Sequence, residues 1–384
     1  MRITVVTETY PPDLNGVALT VARSIAYLRE RGHTVDVVRP SGAGETPGEG
    51  PGEWRARGFP LLIYPDLRFG IATSAALAAR LVATQAQLVH VATEGPLGWA
   101  AVSAAARLGL PTTSDFRTNF HHYSRYYRLG WTAPVISAYL RHFHNRTDLS
   151  LAPSSQTRRE LIASGFERVQ VVGRGVDLER FSPQRRDAAL RARLSPQGGP
   201  ILLYVGRLAA EKNVELALLA YRIARQFSEH ARMVVVGDGP LRKRLQVEFP
   251  EAQFTGNLHG ETLAAHYASA DIFLFPSLTD TFGNVTLEAL ACGLPVVAFN
   301  VAAAAEHVRD RVSGRLLPPG NAAAFMIATA LMAVQAASHE PMRQAARAAA
   351  EAADWDSVLH RFEQRLLDTA DAAGRTAATT ICAA

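Results

Sequence analysis

The sequence predicts an α/β protein built from two doubly wound domains. Three observations carry that expectation. The chain has 384 residues, 48% of them hydrophobic, which is enough for two cores. It opens strand–loop–helix–strand: Ile3–Thr7, a Tyr10–Gly16 loop, a helix with Val17, Val21, Ile25 and Leu28 on one face, then Val35–Val38 after Gly32. The second half repeats that rhythm around Pro276–Pro295. There the apolar run Ile272–Phe275 precedes a loop, a helical Val285–Cys292 stopped by Gly293 and Pro295, and a second apolar run at Val296–Phe299.

Taken in order, the first strand is followed by no G-x-G-x-x-G, so the chain lacks the dinucleotide fingerprint and has only Gly16 ahead of its helix. Gly42–Gly58, rich in Gly, Pro and Glu, reads as a mobile surface loop. Strand–helix pairs follow: Leu88–Ala92 before Leu97–Leu108, and Thr112–Phe116 before a segment dense in rings and charge. That segment, Ser114–Arg146, mixes Tyr123, Tyr126, Tyr127, Trp131, Tyr139 and Phe143 with Arg125, Arg128, Arg141 and Arg146. Such a mixture suits peripheral contact with an anionic membrane. The absence of a sustained one-face pattern favours rings that fill a core. Leu149–Ala152 and Val169–Val172 are the last strands of the first half. GRGVDLERFSP then leads to a polar Arg185–Gly199 boundary.

In the second half Ile201–Val205 runs straight into Gly206-Arg-Leu-Ala-Ala-Glu-Lys-Asn213 and an amphipathic helix with Leu216, Leu219, Ile223 and Phe227. Arg207 and Lys212 therefore lie in a strand–helix loop, at the sheet edge where open α/β sheets bind ligands. Asp280 and Glu288 flank the loop after Ile272–Phe275 at the same edge. The helix start at Gly283, Asn284 and Val285 offers backbone N–H groups suited to phosphate. Cations for a phosphate and carboxylates for hydroxyls together describe a site for a nucleotide sugar. The tail holds Asp354-Trp-Asp356, which reads as the cap of a helix carrying Val358, Phe362 and Leu366 rather than as a metal site. Beyond Gly374 the tail is expected to fray.

Composition narrows the function classes. Net charge is +5, carried almost wholly by arginine because Lys212 and Lys243 are the only lysines. The excess is too dispersed for nucleic-acid binding. Two cysteines, Cys292 and Cys382, make neither a disulfide framework nor a metal-ligand spacing, which suits a reducing cytosol. The N-terminus has no apolar signal segment and no run is long enough to span a bilayer, so the expected location is cytoplasmic, free or peripheral at the inner face of the membrane.

Two stretches carry a family resemblance: GRLAAEKN and DTFGNVTLEALACGLPVV. Asp280 and Glu288, eight apart with Phe282-Gly283 between, resemble the Glu-x7-Glu motif of retaining family 4 (group 1) glycosyltransferases, with Asp at the first acid. GRGVDLERFSP resembles the family's inter-domain NGVD-x-x-x-F-x-P, with Arg174 where Asn is common. The resemblance covers nearly the whole chain and is closest to GDP-mannose-dependent α-mannosyltransferases and related glycolipid enzymes.

What the resemblance implies is a GT-B fold of two Rossmann-like domains facing across a cleft. The first spans residues 1–178, completed by a C-terminal helix at about 357–373 that crosses back, and binds the acceptor. The second, 179–356, binds the donor. The implied reaction moves a hexose, mannose from GDP-mannose by best match, to a sugar, glycan or lipid hydroxyl without metal or other cofactor. Arg207 and Lys212 would hold the leaving diphosphate with the N–H groups of Gly283–Val285, Glu288 the ribose, and Asp280 the sugar. Gly16 would admit the donor phosphate and acceptor. The family's FHTNF carries a donor-contacting His. Here the run is FRTNF, so Arg117 stands in its place, with His121 and His122 as neighbours able to take over. Three alternatives remain at this point: a UDP-sugar-dependent glycolipid glycosyltransferase, a non-hydrolysing sugar-nucleotide epimerase of the same fold, and a catalytically dead binding module, against which the intact Arg207, Lys212 and Glu288 argue while Asp280 and Arg117 keep it alive. A phosphorylase is excluded, since neither lysine suits a pyridoxal-phosphate Schiff base.

Overall fold

The structure is a computed structural model and describes residues 1–13, 16–60, 68–117, 133–278 and 283–382. The chain divides into two compact units. Met1–Thr118, Thr132–Val172 and Leu359–Ala384 form the first, and Gly173–Val358 the second.

The first unit is a sheet of β1 (Arg2–Val6), β2 (Thr34–Pro40), β3 (Gly48–Gly50), β4 (Glu53–Pro60), β5 (Arg68–Ile71), β6 (Leu88–Val91), β7 (Thr112–Asp115), β8 (Leu149–Ala152) and β9 (Val169–Val171). Its order is β3-β4-β2-β1-β6-β7-β8-β9, with β5 beside β4. Only β3 and β5 run antiparallel among these described strands. The order reverses direction between β1 and β6, so the crevice for a ligand opens beyond their carboxyl ends.

The second unit holds β10 (Ile201–Val205), β11 (Arg232–Val236), β12 (Gln253–Gly256), β13 (Ile272–Phe275), β14 (Val296–Phe299) and β15 (Gly314–Leu317). Their order is β12-β11-β10-β13-β14-β15, all parallel. The unbroken apolar strands follow from burial on both faces. Leu203, Val205, Val234, Phe273 and Phe275 enter one core cluster. Leu202, Tyr204, Val235, Ile272 and Leu274 enter the other, as period-2 geometry requires.

Two expectations need correction. Gly42–Gly58 is not a loop throughout, since it contains β3 and most of β4, which adds to the sheet with Val37 opposite Glu53 and Arg39 opposite Arg55. The cause is an ion-pair cluster that local composition hides. Arg39, its side chain 9% exposed, donates from Nη1 to Glu45 at 2.6 Å and from Nε to Glu53 at 3.0 Å. The final helix does not stop near Gly374 but runs Trp355–Cys382, through alanine-rich sequence of high helix propensity. Asp354 caps it, accepting from Asp356 N–H at 3.1 Å. From Leu359 onward the helix belongs to the first unit, where Glu363 meets His33 at 2.9 Å and Phe362 packs edge-on against His90.

The Arg39 cluster makes acid sensitivity predictable. Hydrogen bonding to Arg39 holds the Glu45 carboxyl down at about 2. Its stabilisation is therefore complete above the unfolded value near 4.5 and is lost as pH falls from there towards 2. Glu45→Gln should lower stability at pH 7 by roughly 2 kcal/mol, allowing for solvent screening, and flatten the loss of Tm between pH 5 and 2. Thermal melts across that range check it; an unchanged acid profile would move the effect elsewhere.

Candidate active site

In the second unit the strand order reverses between β10 and β13, and the loops that leave these two strands carry the residues singled out in the sequence. Asn213, in the left-handed conformation at φ 53°, ends the β10 loop. Its Nδ2 donates to the Pro276 carbonyl at 3.2 Å, tying that loop to the one after β13. Arg207 is held from behind: its carbonyl accepts from buried Tyr204 Oη at 3.2 Å, and its Nη1 lies 3.8 Å from Glu211 Oε1. The guanidinium stays half exposed while Glu211 is buried. A buried acid beneath an exposed arginine fixes the cation's direction without neutralising it from the solvent side. Sequence reasoning gave Glu211 no role, although it lies inside the GRLAAEKN run. Lys212 closes the short 3-10 turn Ala210–Lys212.

The helix Asn284–Ala291 begins at Gly283, whose φ of +87° is the left-handed backbone that glycine adopts without Cβ strain. The Thr286 N–H donates to the Gly283 carbonyl at 3.0 Å, and the N–H groups of Gly283–Val285 ahead of it precede any helical carbonyl that could accept from them. Buried Thr286 and Leu287 anchor the helix to the core. Glu288 is turned towards buried Tyr267, whose hydroxyl donates to Oε2 at 2.9 Å. Burial pushes the Glu288 carboxyl up to about 7, against the opposing Tyr267 hydrogen bond and the Arg180 charge. The residue keeps a partly exposed edge. Ser277 and Thr286 add two buried hydroxyls near the same loop with no hydrogen-bond partner among the described residues. Asp280 lies outside the described residues.

In the first unit Gly16 opens the helix Gly16–Glu30, and a Cβ added there would meet nothing within 4 Å. The chain's own packing therefore does not require glycine at this position. Arg117 leaves the carboxyl end of β7 and is buried, its Nη2 paired with Asp115 two residues back. Asp115 in turn lies 3.5 Å from His90 Nε2. Sequence reasoning missed this local partner because i and i+2 residues share a strand face only once the strand is known. Nε and Nη1 of Arg117 are buried without a hydrogen-bond partner among the described residues. His121 and His122 lie outside the described residues. The helix Ala133–His144 turns Leu140 and Phe143 inward, while Val135 is 71% and Tyr139 40% exposed. No helix among the described residues is long and apolar enough to cross a membrane.

The Glu288 shift predicts a stability effect with a definite sign. The folded protein keeps this proton up to about pH 7, whereas the unfolded chain releases it near 4.5. The favourable contribution is full below 4.5 and lost as pH rises through 7. Glu288→Gln removes that loss, so at pH 8 its Tm should exceed the parent's by at least about 2 °C, with the two converging near pH 4.5. Paired melts at both pH values test this, and a lower Tm at pH 8 would show that the carboxylate stabilises the fold.

Comparison with known proteins gives the family and the fold. Family models for "Glycosyltransferase Family 4" and "Glycosyl transferases group 1" match residues 14–180 and 199–333. A GDP-mannose-dependent alpha-mannosyltransferase of Mycobacterium tuberculosis is 39% identical over 333 residues, covering 83% of this chain and 84% of the relative. One of the same description from Corynebacterium glutamicum is 33% identical over 377 residues, covering 96% and 89%. The solved sucrose-phosphate synthase of Thermosynechococcus elongatus superposes with a TM-score of 0.77 at 20% identity, over 97% of this chain and all of that one, which shows the shared fold. Two parallel Rossmann-like sheets and these matches establish the GT-B architecture, and the chain belongs to the family 4 glycosyltransferases.

Proposed function

We propose that this glycosyltransferase moves a mannosyl group from GDP-mannose to an acceptor hydroxyl, with retained configuration and without a metal. The observation that carries the reading is the pairing of loops at the β10–β13 reversal. It sets Arg207, Lys212 and the Asn284–Ala291 helix start at one sheet edge, with Glu288 one turn into that helix. Mannose as the sugar rests on the likeness to the two mannosyltransferases above.

In this reading the diphosphate lies against the N–H groups of Gly283–Val285 and takes Arg207 and Lys212 as counter-charges. The bond from the sugar C1 to the β-phosphate oxygen breaks with its electron pair left on the diphosphate. The acceptor oxygen bonds to C1 on the same face, and its proton passes to the departing phosphate. Two cations aimed at the leaving group stabilise charge that develops only as the bond breaks. Ionised Glu288 accepts from the ribose hydroxyls, and Asp280 from the sugar. Gly16 leaves room for substrate to approach the backbone, consistent with the open space around its Cα.

The deciding experiment is calorimetry with GDP, UDP and ADP, followed by turnover of GDP-mannose. GDP should bind tightest, and Arg207→Ala and Glu288→Gln should each weaken it about tenfold or more, since a charge-assisted hydrogen bond is worth roughly 1.5–3 kcal/mol. Transfer should survive EDTA. Preference for UDP would move the donor assignment, conversion of the donor sugar with no acceptor present would indicate an epimerase, and a manganese or magnesium requirement would remove the diphosphate role from the two cations.

Arg117 is proposed to meet an anionic group of the substrate, because Asp115 takes up Nη2 while buried Nε and Nη1 have no hydrogen-bond partner among the described residues. A guanidinium can only donate, whereas the family's neutral histidine can also accept. Arg117→His and Arg117→Lys should both lower kcat/KM for GDP-mannose transfer, Lys the less. Full activity of Arg117→His would show that the position merely tolerates arginine.

A further inference from the structure

A second built carboxylate lies in the first unit, outside every motif considered so far. Glu94 follows β6, and β6 borders β1 at the point where that sheet's order reverses. It is held in three ways. Its carbonyl accepts from Tyr139 Oη at 2.6 Å. Its turn is clamped by Glu8, from the loop after β1, whose carboxylate accepts from Leu97 N–H at 2.9 Å and Gly70 N–H at 2.6 Å. The Glu8 N–H donates to Thr93 Oγ1 at 2.7 Å. This approach is so close that a Cβ on Gly95 would lie 2.2 Å from Glu8 Oε1, so a side chain there would displace the Glu8 carboxylate from its clamp.

The third restraint acts on the carboxylate itself. His144 Nε2 lies 3.4 Å from Glu94 Oε1, and the imidazole is fully buried among Phe116, Phe143 and Phe166. Its Nδ1 faces Ser114 Oγ at 2.9 Å and Ser150 Oγ at 3.3 Å. With Nδ1 accepting from a serine hydroxyl, Nε2–H is directed at Glu94, an assignment made from the partners. A chain of buried polar groups in an aromatic wall costs stability unless every member is satisfied. A tether between the Ala133–His144 helix and the sheet would need only the serine–histidine contact. Here the chain continues to a carboxylate at the edge where open α/β sheets take ligands.

The Glu94 side chain is 5% exposed; a carboxylate offers about four acceptor positions, and among the described residues His144 meets one. Resting on the glycosyltransferase reading, we propose that Glu94 binds the acceptor by receiving hydrogen bonds from vicinal hydroxyls of a sugar or cyclitol ring, with His144 as its positioning residue. Parallel hydrogen bonds from two neighbouring hydroxyls to one carboxylate fix both the position and the rotation of the ring.

The test uses the full chain with GDP present. Saturation-transfer NMR is recorded with methyl α-D-mannopyranoside, methyl α-D-glucopyranoside and myo-inositol. The parent protein should show transfer to at least one of them. Glu94→Gln should weaken that binding at least tenfold, and Glu94→Asp by less, with Tm and GDP affinity kept. His144→Gln should weaken it several-fold in the parent background and add nothing in the Glu94→Gln background, which a purely structural histidine would not do. No transfer to any probe in the parent, unchanged binding in both Glu94 variants, or equal effects of His144→Gln in both backgrounds would each overturn the inference. Failure of the donor reading is read separately, as absent GDP binding in the parent.

Discussion

The pairing of β10 with β13, Leu202 opposite Ile272 and Leu203 opposite Phe273, is the constraint on which the proposed donor site depends. These strands are far apart in sequence, with β11 and β12 between them along the chain but on the other flank of β10. Only when they become neighbours do the loops that leave them face one opening. The Asn213–Pro276 hydrogen bond closes that arrangement. Burial on both faces makes the register strict, because a slip by one residue would exchange the two cores.

The molecule concentrates its buried polar groups at such reversals. In the second unit Glu288, Tyr267 and Glu211 are placed under the loops, and in the first Glu8, Glu94, His144, Asp115 and Arg117 gather near the carboxyl ends of β1, β6 and β7. The strands of the second unit are otherwise apolar on both sides, whereas β2 of the first also buries Asp36 and Arg39, each in an ion pair. Polar groups buried at a sheet edge cost stability unless paired, which makes these clusters the candidates for function.

Much of the candidate site in the second unit is legible because it is local. GRLAAEKN and the run from Gly283 to Pro295 each keep their chemistry within about a dozen residues, bounded by buried strands that apolar runs reveal. The first unit was less so. Arg39 needs Glu45 and Glu53 to make β3 and β4 worth forming, and composition alone suggested a loop. Glu8 and Leu97, or Glu94 and His144, are tens of residues apart, and nothing in their neighbourhoods announces the partner.

By itself, then, the sequence determined the two-sheet architecture, through runs such as Ile201–Val205 that only a strand buried on both faces explains, and it picked out the charged residues of the candidate sites apart from Glu94. Tertiary structure alone decided which side chains orient them: Glu211 under Arg207, Tyr267 on Glu288, Asp115 on Arg117, His144 on Glu94. The physical reason is range. Strand and helix periodicity is written in neighbours two to four residues apart, whereas a hydrogen bond between side chains depends on strand order, which long-range pairing sets.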